Sequence, residues 1–269
     1  MHLLSMELFG QSLIVKDFPT LRAIRGIGMS DKECYPEILA EKFDYANTYY
    51  DREPRLDFME VHPQLHGQYD FILCADVLEH IASPVQRAVE EACRLLKPTG
   101  FLGVTVYCNP GDQLHEHFPE LHDYRIVHLG ETSVLVNRRS DGSMEIREDL
   151  IFHGDLAGAT LEMREFGVTA LKSMLLAAGF REVNFLRADL PEIGILFDHD
   201  VSQPLIARKD RFAIDTAVWT QMVEQWRAAQ NQARKESARG NLVSEQMRLA
   251  SGSRWLRLGR VLGVGPRFS

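Results

Sequence analysis

The chain has few cysteines, and none are paired at metal-binding spacing. Cys34, Cys74, Cys93 and Cys108 form no CxxC pair, so neither a zinc ribbon nor a disulfide framework is read from them. Cys74 and Cys108 fall in or beside segments expected to be buried strands, which suits free thiols in a reducing compartment. No apolar run approaches the roughly 20 residues that cross a bilayer. The first residues, MHLLSMELFGQSLIVKDF, lack a basic leader followed by a continuous apolar stretch. A cytoplasmic location is therefore the expectation. Basic charge is scarce too: the formal net charge is −8. From Arg208 onward 12 Lys or Arg face 5 Asp or Glu, which leaves about −15 on the first 207 residues. So acidic a body argues against nucleic-acid substrates, whose phosphates call for a basic surface. There is no internal repeat and no low-complexity run. A length of 269 residues suits one large domain, or one domain with an appendage.

The richest stretch runs from Gln68 to Tyr107, QYDFILCADVLEHIASPVQRAVEEACRLLKPTGFLGVTVY. Tyr69 to Ala75 is an apolar run of strand length, and Asp76-Val77-Leu78-Glu79-His80 sets two acids and a histidine just past its end. Ser83-Pro84 can open a helix, and Val85, Ala88, Val89, Ala92, Leu95 and Leu96 recur at helical spacing. Lys97-Pro98-Thr99-Gly100 is expected to stop that helix, and Phe101 to Tyr107 to form the next parallel strand. In an open α/β sheet, ligands sit beyond the carboxyl ends of the strands, so polar residues gathered there carry most functional information.

At these residues the chain resembles the class I S-adenosylmethionine-dependent methyltransferases. DVLEHI is similar to their loop after the fourth strand, and RLLKPTG to the KPGG turn before the fifth, with Thr99 where glycine is usual. The resemblance implies a Rossmann-like, mostly parallel α/β sheet with S-adenosyl-L-methionine as cofactor. Leu21 to Gly28 reads as the first strand, ending in a glycine turn, with a short helix over Tyr35 to Phe43. Gly26 and Gly28 carry no Cβ and could let backbone approach a ligand; the resemblance implies that this turn cradles the methionine part of the cofactor. The pattern departs from the family at Arg25, where an acid is usual, and at Met29-Ser30-Asp31, where a third glycine is usual. Asp31 either supplies the missing carboxylate or caps the next helix. Asp44 to Tyr50 reads as strand 2 and Arg55 to Met59 as strand 3, with too few residues between them for the usual helix. Asp51 and Glu53 are the candidates for the ribose hydroxyls and Asp57 for the adenine amino group. Asp76 and Val77 complete the expected cofactor contacts.

Downstream lies a segment rich in imidazole: His115, His117, His122, His128 and His153. His115 and His117 have no second close pair to accompany them, so no metal site is expected. The alternative is acid–base work on a hydroxyl acceptor, whose proton a histidine can remove near neutral pH. His153, in LIFHGDLAGATLEMREFG, and the stretch NTYYDREPRLD resemble a bacterial subgroup of methyltransferases found with surface-polysaccharide enzymes. His153, His80 and His117 are the catalytic candidates; Glu79 and His80 could equally orient their loop. Ala170 to Ala178 reads as a late helix closed by Gly179, with a strand over Phe180 to Leu186.

Residues 1–205 are expected to form the methyltransferase domain and 206–269 a basic helical extension. There Trp219, Met222, Val223, Trp226, Ala229 and Ala233 make one apolar stripe, suited to packing on the body or on a second subunit of a homodimer. The last segment sets Arg254, Arg257 and Arg260 opposite Trp255, Leu258 and Leu262, compatible with weak contact to an anionic membrane or to a protein. The function expected is methyl transfer to an oxygen of a small-molecule or glycan acceptor. The alternatives are a methyltransferase of another metabolite, such as a quinone or carboxylate, and a catalytically silent binding module.

Overall fold

A computed structural model describes residues 1–252 except 33, 110, 131, 154–159, 198–201 and 214. Two units are present, Met1–Ile214 and Asp215–Ser269. The first is built on a six-stranded sheet in the order β13-β14-β4-β3-β1-β2. Helix α1 (His2–Phe9) comes first, then β1 (Arg25–Met29), α2 (Pro36–Lys42), β2 (Asp44–Thr48), β3 (Tyr69–Ala75), α3 (Val85–Leu95) and β4 (Leu96–Val106). These four strands run parallel. An insertion of short strands follows: β5 (Cys108–Asn109), β6 (His115–Glu116), β7 (Asp123–Leu129), β8 (Thr132–Arg138), β9 (Met144–Arg147), β10 (Phe152–His153), β11 (Thr160–Leu161) and β12 (Arg164–Gly167). Then α4 (Val168–Ala177), β13 (Glu182–Phe185) and β14 (Gln203–Arg208) close the sheet, β14 lying antiparallel between β4 and β13.

The expected mixed α/β fold with its parallel core is present, and its layers follow from residue alternation. Even positions of β3, Ile72 and Cys74, join Val85, Val89, Ala92 and Leu95 of α3 in one apolar layer. The odd position Phe71 faces the other way, stacked between Tyr45 and Phe101 and edge-on to Phe43. Each fully buried side chain of this size contributes roughly 1.5–3 kcal/mol relative to exposure. The late helix ends as its sequence implies: Gly179 takes φ 109°, a region closed to most side chains, and Phe180 is buried behind it.

Two expectations are corrected. Arg55–Met59 is not a strand: only a bridge between Tyr49 and Arg55 forms, and Asp57 Oδ1 accepts the Met59 amide at 2.8 Å, turning the backbone. Lys97–Gly100 is extended rather than a stop turn, because α3 ends at Leu95 and a register shift opposite Tyr69/Phe71 takes up the extra residues. Strand β14 crosses residue 205, and the first compact unit runs on to Ile214.

The second unit is helix α5 (Thr216–Gly252). Trp219 is exposed and Val223 half-buried. The side chains of Met222, Trp226, Ala229 and Ala233, and all of Arg254, Trp255, Arg257, Leu258, Arg260 and Leu262, lie outside the described residues. No described helix is long and apolar enough to cross a membrane.

Candidate active site

Strand β3 delivers the chain to its carboxyl end, where Asp76 takes a left-handed φ of 53°. Its amide donates to the Thr105 carbonyl at 2.8 Å and its Oδ1 accepts the Ser202 hydroxyl at 2.6 Å. A single helical turn over Leu78–His80 follows, with Leu78 and Glu79 buried. The insertion clasps this loop from above. Met163 donates its amide to the Glu79 carbonyl at 2.8 Å. Arg164, with 0% exposure, spends its guanidinium on the loop. Its Nη1 donates to the carbonyls of Leu78 (2.9 Å) and Ile81 (2.5 Å), and its Nε to Glu116 Oε1 at 2.9 Å. The Ser83 hydroxyl accepts from Nη2 at 3.2 Å and donates to Glu116 Oε2 at 2.9 Å. A buried cation with so complete a set of acceptors is a fixed strut.

The clasp brings the three candidate histidines together around a residue that sequence reading missed. Glu162 is buried. Its Oε1 pairs with His117 Nε2 at 2.8 Å and its Oε2 with His153 Nε2 at 2.5 Å. The rings of His153 and His80 meet edge-on, centroids 5.5 Å apart. His80 Nδ1 lies 2.9 Å from the Leu161 carbonyl, which only accepts, so Nδ1 carries the proton and Nε2 the lone pair. Burial lowers the pKa of His80 below its ordinary value. Glu79 Oε2 is buried with no partner among the described residues, and burial pushes the pKa of Glu79 up to about 7. Glu162 and Arg164 lie in the LEMREFG segment close to His153, but apart from His153 itself their partners are 45 to 86 residues away in sequence, so no local spacing marks them.

The expected cofactor residues divide. Asp76 and Val77 open the same loop. Gly26 and Gly28 lie inside β1, but their bare sides do not face open space. A Cβ at Gly26 would stand 2.2 Å from the Phe71 ring, and one at Gly28 2.1 Å from both Asp31 Oδ2 and the Tyr45 hydroxyl. These glycines make room for the chain's own side chains. A Gly28→Val change is accordingly expected to cost about 1–3 kcal/mol by overpacking, as well as disturbing Asp31. Urea denaturation of the variant checks it; stability equal to the parent's would show that Asp31 and Tyr45 move aside freely. Asp51 and Glu53 are exposed, Glu53 accepting the Arg55 amide at 3.0 Å, and Asp57 is held by Arg55 and Met59.

Asp31 is the carboxylate that fits a ligand at the end of β1. It is buried, its backbone exchanges hydrogen bonds with the Asn47 amide, and its Oδ2 takes the Tyr45 hydroxyl. Burial raises its pKa against the pull of the Tyr45 and Tyr35 hydroxyls. Its Oδ1 has no partner among the described residues, an acceptor of the kind a cofactor ammonium group satisfies. A cavity of about 160 Å³ lies nearby, lined by Tyr35, Leu73, Ala75, Thr105, Leu186 and residues of α1. It is smaller than the roughly 300–1,000 Å³ of a typical ligand pocket, so it is not a whole nucleoside site.

Comparison with known proteins places these features. Residues 29–142 match the family model described as a methyltransferase domain. No curated protein matches the chain. Among solved structures it is similar to the 1,6-didemethyltoxoflavin-N1-methyltransferase of Burkholderia thailandensis, solved with S-adenosylhomocysteine. The two share 15% identity over 71% of this chain and 75% of that one, with a TM-score of 0.40. An S-adenosylmethionine-dependent methyltransferase from Clostridium acetobutylicum gives 12% identity, coverage of 69% and 84%, and a TM-score of 0.40. The N-terminal domain of EvdMO1, solved in the presence of S-adenosylhomocysteine and D-fucose, gives 13%, coverage of 71% and 76%, and 0.42. The family match spans β1's end, the glycine-free turn with Asp31, the β3 loop and the β3–α3–β4 unit, so the likeness to a methyltransferase domain falls on the strand ends that carry the candidate site.

Proposed function

We propose that the chain methylates a hydroxyl oxygen of a small-molecule or glycan acceptor. One observation carries this: Glu162, buried, holds the imidazoles of His117 and His153 on its two oxygens at 2.8 and 2.5 Å. S-adenosylmethionine, when bound, supplies a methyl group on an electrophilic sulfonium. A sugar hydroxyl is too weak a nucleophile to take that methyl without losing its proton, whereas a carboxylate or thiol acceptor needs no such help. A carboxylate that orients an imidazole and stabilises its protonated form is the arrangement that draws a proton from a hydroxyl. The glycan part of the reading is supported by the NTYYDREPRLD and FHGD segments and their resemblance to polysaccharide-associated methyltransferases. In this reading the chain works in the cytoplasm, and its acidic first 207 residues disfavour nucleic acid as acceptor.

The test is label transfer. The full chain is incubated with methyl-labelled S-adenosylmethionine and a panel of sugars, carboxylic acids and thiols. Label is expected in an alkali-stable ether of a hydroxyl acceptor. Label confined to a base-labile ester or to a thioether would overturn the reading.

A further inference from the structure

The loop after β3 and the strands above it enclose a second donor set, which shares His153 with the carboxylate–imidazole pair. One carboxylate oxygen of Glu79 and one ring nitrogen each of His80 and His153 lie within 4.8 Å of one another. The hydrogen bonds around them decide which atoms are available. His80 gives its Nδ1 proton to the Leu161 carbonyl, so its Nε2 keeps a lone pair. His153 turns Nε2 toward Glu162, so its Nδ1 is the free nitrogen. Glu79 is 3% exposed, and its Oε2 has no hydrogen-bond partner among the described residues. Each imidazole keeps one lone pair and Glu79 one oxygen without a partner among the described residues, so each of the three can turn an acceptor to a shared ion. A cation satisfies all three at once. The neighbouring triplet His117, Glu162 and Glu165 is poorer, since both oxygens of Glu162 are taken by imidazoles and Glu165 already accepts from Asn109.

We infer that Glu79, His80 and His153 hold a divalent transition-metal ion. Zn²⁺ suits a set of two imidazoles and one carboxylate, and three protein ligands leave a fourth position open. The Leu161 carbonyl and Glu162 are the outer supports that fix each imidazole's tautomer and direction. No local spacing marks this site, because the second histidine comes from β10, far along the chain from His80. What the ion does rests on the hydroxyl-acceptor reading: a hydroxyl bound at the open position is made more acidic, and His117, held by Glu162 and outside the ligand set, is then the imidazole that takes its proton.

The experiment uses the full chain, stripped with a chelator and titrated with Zn²⁺ alone, with binding read by calorimetry and metal content by elemental analysis. One equivalent of Zn²⁺ per chain is expected. Glu79→Gln, close in shape to the parent, and His80→Asn should each abolish that equivalent while circular dichroism shows the fold retained. Glu162→Gln should weaken it about 10- to 100-fold, as loss of an outer support does, and His128→Gln on β7 should leave it unchanged. Absence of stoichiometric Zn²⁺, or an affinity like the parent's in either ligand variant, overturns the site. The two readings fail separately. A chain that binds no Zn²⁺ yet methylates hydroxyls removes the metal and keeps the function. A Zn²⁺-loaded chain that labels only carboxylates or thiols removes the function and keeps the metal.

Discussion

Replacing Arg164 with leucine is expected to lower stability by about 3–5 kcal/mol, the range seen when one partner of a buried ion pair is removed. The guanidinium is completely buried and serves Glu116, two backbone carbonyls and Ser83 at once. Leucine fills part of the volume but leaves the Leu78 and Ile81 carbonyls without donors and the largely buried Glu116 carboxylate without its cation. For a domain of about 200 residues, each kcal/mol moves Tm by roughly 2–4 °C, so a fall of roughly 6–20 °C should appear in a thermal melt. Adding Glu116→Gln to Arg164→Leu should recover part of the loss, because the stranded charge is then gone. A single variant melting within 2 °C of the parent would show that the clasp is ornamental to stability.

Replacing His153 with alanine is expected to reduce turnover about 10²- to 10⁴-fold, the span of a group that takes or eases the loss of the acceptor's proton. Affinity for the cofactor should barely move, since His153 pairs with Glu162 and faces His80, whereas the orphaned Asp31 oxygen sits at the end of β1. Steady-state rates on the acceptor found by label transfer, beside calorimetric titration with S-adenosylmethionine, separate the two quantities. Turnover near that of the parent would remove His153 from the chemistry. A large loss of cofactor affinity would instead mean that the histidine cluster and the cofactor end are one site.

The β3–α3–β4 unit was legible because its apolar residues recur at periods that physics ties to one structure each, and the structure returns α3 and both strands within a few residues of their expected bounds. Arg55–Met59 misled for the same reason. Leu56 and Phe58 alternate as in a strand and are buried, but they fill the core from a turned backbone that the Asp57 side chain holds. The histidines could be singled out by residue type alone. Glu162 and Arg164 could not, because a carboxylate and a guanidinium look like ordinary surface charge until the fold brings their partners to them. The glycines of β1 carry a role that sequence alone does not show. Their lack of a side chain admits Phe71, Asp31 and Tyr45, neighbours that only the fold supplies.

Strand β14 sits in the interior of the sheet, yet it is the last strand of the sheet to be made. Chains emerge from synthesis N-terminal end first. Until residues 203–208 appear, the Phe101–Val106 stretch of β4 has no neighbour on its outer side. It then presents unpaired amides and carbonyls beside Phe101, Val104 and Val106, an apolar open edge of the kind that templates pairing between chains. Fragments of this protein that stop short of β14 should therefore go astray by association rather than by unravelling, and expression trials of shortened chains would meet insolubility before they met instability.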